Sequence, residues 1–276
     1  MIISDLCSKL VCSIKKIKSI TQNSNTNESV GETSEQSEST QVSEAVQFKK
    51  EDRHVEIIIQ KPIYEYAHGK KFKANPQWIV VHYTACINTS AKTMCKAMKN
   101  NTSASSHFYI DENDICSAVP EEYIAWHVGN GECKRPEAYK KTSLDELANY
   151  KASDWRYDLA AKNHLKWQAR GNDFSGNNCS IGVDLCVRKK SSTSKKATDK
   201  DWYFTECAID NTAKTVAYLA TKYNISIDHV IRHADATGKL CPQPFAWPPD
   251  AGDNQWAEFK SKVMHYISVG VKASFV

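Results

Sequence analysis

The chain has 276 residues, 41% of them hydrophobic, enough for one large domain or one domain with extensions. Its formal charge of +4 is a mild excess that favours an anionic partner, and no basic stretch interleaved with aromatics points to nucleic acid. No run approaches the ~18 apolar residues of a membrane span. The 10 cysteines form no Cys-x-x-Cys pairs, so most read as reduced core thiols.

Along the chain, residues 1–20 place Ile3, Leu6, Leu10, Ile14 and Ile17 at helical spacing among Lys9, Lys15, Lys16 and Lys18. This predicts an amphipathic terminal helix, frayed or partner-bound in preference to lying on a membrane surface. Asp5 and Lys9 interrupt its apolar face and no small-residue cleavage site follows, so it does not read as a signal peptide. Residues 21–46 are Ser, Thr, Asn, Gln and Glu with almost no large apolar side chains, a composition that predicts a disordered polar linker. The folded domain is expected over 55–270, beginning with a strand near Val55–Ile59. Gln77 to Thr84 is an apolar, β-branched run that predicts a buried strand delivering His82 at its exit.

Thr89 or Ser90 can cap a following helix that carries Met94, Ala97 and Met98. Residues 107–110 and 115–119 flank Asp111-Glu112-Asn113-Asp114, a hairpin pattern. Between 133 and 175, Ser143 to Glu146 forms a capping-box pattern and a second helix is expected from Ser153 to Gly171. The aromatics there (Tyr150, Trp155, Tyr157, Trp167) suit either a local core or a sugar-stacking wall. Next come a strand over 179–187 and a helix over 205–223, with Ile209, Ala213, Val216, Leu219 and Tyr223 on one face. A short strand over 229–233 and a closing helix through Trp256, Phe259, Val263 and Ile267, ending before Gly270, complete the pattern. Strands alternating with helices predict an α/β fold with a central mixed sheet flanked by helices.

The stretch Arg232 to Pro242 holds two soft metal ligands, His233 and Cys241, with Lys239 between them. A loop closed by Gly238 and Pro242 can turn both toward one ion. His82 would make a third ligand, and for zinc three protein ligands leave an open fourth position, the arrangement of a hydrolytic site. Taken singly, each has a plainer reading: a satisfied structural histidine, or a buried thiol. Their joint occurrence favours the metal.

Five blocks occur in a fixed order: Val-Val-His-Tyr-Thr (80–84), Ser-Ser-His-Phe (105–108), Ala-Trp-His-Val-Gly (125–129), Ser-Ile-Gly-Val-Asp-Leu (180–185) and His-Ala-Asp-Ala-Thr-Gly-Lys-Leu-Cys-Pro (233–242). In these the chain resembles the zinc N-acetylmuramoyl-L-alanine amidases, a group that includes phage endolysins and the peptidoglycan-recognition proteins. The resemblance implies a single catalytic domain, Zn²⁺ on His82, His233 and Cys241, and peptidoglycan as partner. The implied reaction is hydrolysis of the amide joining N-acetylmuramic acid to L-alanine, at the wall after release or export from the cytoplasm.

It further implies oxyanion stabilisation by Lys239, against the plain reading of a solvated loop lysine. Asp184 stands where relatives carry a glutamate base; one methylene shorter, it would act through an intervening water, or else simply pair with a neighbouring cation. His127, with Trp126 before it, matches a position near the substrate, against plain packing, and His107 would line the cleft or pack. Ser106 stands where phage members have tyrosine, so a tyrosine role is not carried over. Asp235 is expected beside the metal rather than on it, and Pro244, Trp247 and Pro248 would buttress the loop. Two other readings remain: a peptidoglycan-binding module without catalysis, which tends to lack the third ligand, and a structural zinc or regulatory domain.

Overall fold

Five consecutive residues of the run at 78–83 are buried, as expected of a parallel strand covered on both faces. The structure, a computed structural model, describes residues 54–61, 68–99, 101, 103–130, 173–191 and 199–276. In order, these form β1 (Val55–Gln60), β2 (Trp78–Tyr83), α1 (Ala91–Met98), β3 (Phe108–Ile110), β4 (Ile115–Ser117), β5 (Ser180–Leu185), β6 (Arg188–Lys189) and β7 (Trp202–Tyr203). Then follow α2 (Glu206–Tyr223), β8 (Val230–Arg232), α3 (His233–Thr237), α4 (Pro249–Val269) and β9 (Val271–Phe275). They belong to one compact unit, Glu51–Val276. The terminal helix, the polar linker and the helices expected within 143–171 lie outside the described residues.

Seven of these strands form a mixed sheet in the order β8-β2-β5-β3-β4-β1-β9. β8, β2, β5 and β3 run parallel, and β4, β1 and β9 run the other way, with the antiparallel β3–β4 pair at the reversal. That pair is the expected hairpin. Its turn is held by Asp111, whose Oδ1 accepts from the Asn113 and Asp114 amides at 2.8 and 2.7 Å. Asp111 Oδ2 accepts from Ala91 N at 2.7 Å, fixing the start of α1 to the same turn.

Alternation along β2 and β5 sorts their side chains between two faces. Ile79, Val81, Ile181, Val183 and Leu185 join α2 and α4 in the main core through Val216, Leu219, Phe259 and Val263. Trp78 and Val80 point the other way, toward Val128, Phe174, Ile231 and Ala236. His82 and Asp184, opposite each other in the β2–β5 register, share that second parity. The candidate site therefore lies on the sheet face away from α2.

The helix caps follow the sequence, with one choice resolved: Ser90 rather than Thr89 caps α1. Thr205 caps α2, and Asn224 ends it in the left-handed conformation at φ 54. The expected strand over 229–233 is shorter, because His233 opens α3. The reason is Asp235, whose carboxylate reaches back to accept from the Arg232 amide at 2.8 Å and starts the turn. The chain also continues beyond the expected limit at 270: β9 pairs with β1 from Val55↔Val271 to Ile59↔Phe275.

Candidate metal centre

Three elements converge on one point. β2 and β8 are neighbours with Val81 opposite Arg232, so the next residue of each, His82 and His233, emerges at the same end of the sheet. Cys241 returns to them because Gly238 (φ 79) closes α3 and the Ala234 amide donates to the Cys241 carbonyl at 2.7 Å. Arg232, 5% exposed, secures the loop. Its guanidinium donates to Asp235 at 2.9 Å through both Nε and NH2, to the Phe245 carbonyl at 2.8 Å and to Asp253 at 2.6 Å. Asp235 is thus turned toward Arg232. Pro244 and Trp247 are buried beside this loop.

His82 Nδ1 lies 3.0 Å from His233 Nδ1 and 3.8 Å from Cys241 Sγ. All three donor atoms fall within 4.8 Å of one another. Tetrahedral zinc, with bonds of about 2.0–2.1 Å to nitrogen and 2.3 Å to sulfur, separates such donors by roughly 3.3–3.6 Å. The donor set fits that ion. Burial, then the charge of His233, holds His82 well below the usual imidazole range, and burial lowers His233 to about 3. Neutral imidazole is the ligating form. Burial pushes the Cys241 thiol up to about 12 against the pull of Lys239, so its thiolate requires a cation at this point.

Asp184 is adjacent to His82 across the sheet. Burial raises its carboxyl to about 6, opposed by the neighbouring Ser106 hydroxyl and the Lys239 ammonium. Lys239 is exposed, yet its charge is felt at His82, His233, Cys241 and Asp184. The structure thus brings together His82, His233, Cys241, Asp184 and Lys239.

Of the three residues expected near the substrate, His107 and His127 have both ring nitrogens engaged by other groups of the protein. His107 is fully buried; its Nδ1 accepts from the Gly182 amide at 2.9 Å, and its Nε2 donates to the Tyr123 carbonyl at 2.9 Å. It holds β5 to the 120s loop and has no ring nitrogen to offer a ligand. Trp126 is half-buried, with its backbone paired to Ser105. His127 meets His82 directly, Nδ1 to Nε2 at 3.0 Å. Sequence reasoning missed Asn177, Ser180 and Gly182, which surround His127; the one available sign was a glycine inside an apolar strand.

Known proteins resemble the chain over much of its length. Residues 72–244 match the Amidase_2 family model, N-acetylmuramoyl-L-alanine amidase. The N-acetylmuramoyl-L-alanine amidase CwlA of Bacillus subtilis is 26% identical over 210 residues, 76% of this chain and 56% of that protein. CwlL of Bacillus licheniformis is 27% identical over 197 residues, 69% of this chain and 41% of that protein. The chain thus spans about half the length of the curated relatives it matches. Among solved structures, the catalytic domain of XlyA is 22% identical with a TM-score of 0.46, covering 75% of this chain and 99% of that one. The PlyG catalytic domain is 23% identical with a TM-score of 0.48, covering 76% and 94%. With residues 72–244, more than half of its length, inside the family model, the chain belongs to the Amidase_2 family, N-acetylmuramoyl-L-alanine amidase.

Proposed function

We propose that this chain hydrolyses the amide between N-acetylmuramic acid and L-alanine in peptidoglycan, acting at the cell wall with zinc held by His82, His233 and Cys241. The carrying observation is the buried meeting of two imidazole Nδ1 atoms and a thiol beside a carboxyl of raised pKa. Zinc bound there supplies Lewis acidity, lowering the pKa of water and polarising the amide oxygen.

The chain's own residues then move protons and hold charge. Asp184, with a pKa of about 6, is ionised at neutral pH yet basic enough to take a proton from the attacking water. As the new C–O bond forms and the C–N bond breaks, it returns that proton to the departing L-alanine amine. Lys239 donates to the amide oxygen as that atom becomes anionic. Trp126 offers apolar surface to the saccharide. His107 is assigned to the fold, since both its nitrogens serve backbone groups.

The test is digestion of purified peptidoglycan by the zinc-loaded full chain. New amino-terminal L-alanine without new reducing sugar ends is expected, lost on chelation and restored by zinc. Reducing ends alone would indicate a glycosidase and overturn the reading. Wall binding without released amines would indicate a non-catalytic module.

A further inference from the structure

The second nitrogen of His82 begins a run of hydrogen bonds that ends in the sheet. His82 Nε2 lies 3.0 Å from His127 Nδ1. His127 Nε2 meets two Ser180 oxygens, the backbone carbonyl at 3.2 Å and Oγ at 3.3 Å. The Ser180 hydroxyl donates its one proton to the Gly176 carbonyl, 2.7 Å away, so toward His127 it offers only lone pairs. Both neighbours of His127 Nε2 are acceptors, and that nitrogen carries the ring proton. Nδ1 of the neutral ring is then bare and accepts from His82 Nε2–H. On the far side, His82 Nδ1 keeps its lone pair, and Nδ1 is the atom that faces His233 and Cys241.

The surroundings leave room for this ring. A side chain at residue 182 would bring its Cβ to 2.6 Å from His127 Cγ and 2.9 Å from Nδ1 and Cδ2. The loop carrying the ring is held by Asn177, whose Oδ1 accepts from the His127 and Val128 amides at 3.0 and 2.8 Å. The Asn177 amide donates to the Gly129 carbonyl at 2.8 Å.

We propose that His127 is a positioning residue for the metal: relaying from the Ser180 oxygens, it fixes His82 in the tautomer that presents a bare Nδ1, and residue 182 is glycine because the His127 ring occupies its side-chain space. The proposal rests on the metal reading above. It replaces the substrate-contact role expected for His127, because neither ring nitrogen is left for a ligand. Metal-bound histidines are commonly held through their other nitrogen, and loss of that partner typically weakens metal binding. Here the partner is a second histidine, itself oriented by a strand backbone.

The test uses the full chain in two measurements. Nitrogen NMR of ¹⁵N-histidine protein without zinc should find the proton on Nε2 of both His82 and His127, with both Nδ1 atoms bare. Chelator competition should find zinc bound about 10–100-fold more weakly by His127→Phe. His127→Asn, whose side-chain oxygen can stand near the Nδ1 position, should recover part of the loss, and Gly182→Ala should weaken zinc in the same direction. A proton on His82 Nδ1, or wild-type zinc affinity in folded His127→Phe, would overturn the proposal. So would an unchanged affinity with a raised KM on a muramyl peptide, the mark of substrate contact. If His127→Phe fails to fold, the wild-type tautomers and His127→Asn decide. Wild-type protein that binds no zinc would sink the metal reading itself, a result distinct from an unaltered variant.

Discussion

Asp184 carries the sharpest expectation at the scale of single residues. Its carboxyl is raised from an ordinary 3.8 to about 6, chiefly by burial, and the base is the ionised form. Zinc on the neighbouring ligands adds positive charge that favours the ionised form, so turnover should rise with pH at values below this metal-free figure of about 6 and be level by neutral pH. Stability has the opposite sign. The folded state binds this proton more tightly than the unfolded chain, so the contribution is full below about 4 and is lost as pH climbs through about 6. Asp184→Asn should keep zinc, lose about 10²–10⁴-fold in turnover, and, metal-free, melt above wild type at pH 8 but not at pH 4. A pH–rate profile and melts at the two pH values check both signs. Lys239→Ala should lower kcat by about 10²–10³-fold with KM and zinc content unchanged. Steady-state kinetics on a muramyl peptide decide it; a raised KM at constant kcat would make Lys239 a holder of a substrate carboxylate.

The element that matters most to the site is α3, a single turn set by one buried arginine. Arg232→Met keeps the bulk but removes the partner shared by Asp235, Asp253 and the Phe245 carbonyl. A loss of about 3–5 kcal/mol is expected, as for breaking a buried ion pair, together with faster zinc release. Urea unfolding and a chelator chase measure the two. This element was poorly legible in the sequence, because the residue at its cap position is arginine rather than Ser, Thr, Asn or Asp. The cluster of His82, His233 and Cys241 was legible because two of the three side chains, of rare residue types, flank one turn. The role of His107 was not, since its partners are a backbone amide at Gly182 and a carbonyl at Tyr123 that only the assembled sheet brings to it.

For the whole molecule, a chain shortened to residues 51–276 should fold, bind one zinc and turn over soluble muropeptide, since that span is one compact unit. Loss of zinc binding on shortening would refute this. The α/β class and mixed sheet followed from the alternation of periods, but the strand order did not. β9 is short and mostly exposed, and its partner β1 lies at the opposite end of the unit, so no local pattern joins them. The reversal of strand direction at β3–β4 also fixes a polarity. β9 runs against β2, so its carboxyl end points away from the edge where His82 and Cys241 meet. It also stands five strand positions from β2, about 24 Å at the usual spacing. A probe or surface tether attached at the carboxyl end of β9 therefore sits at the remote corner of the sheet, and protein immobilised that way presents the cluster of His82, His233 and Cys241 outward to an insoluble wall.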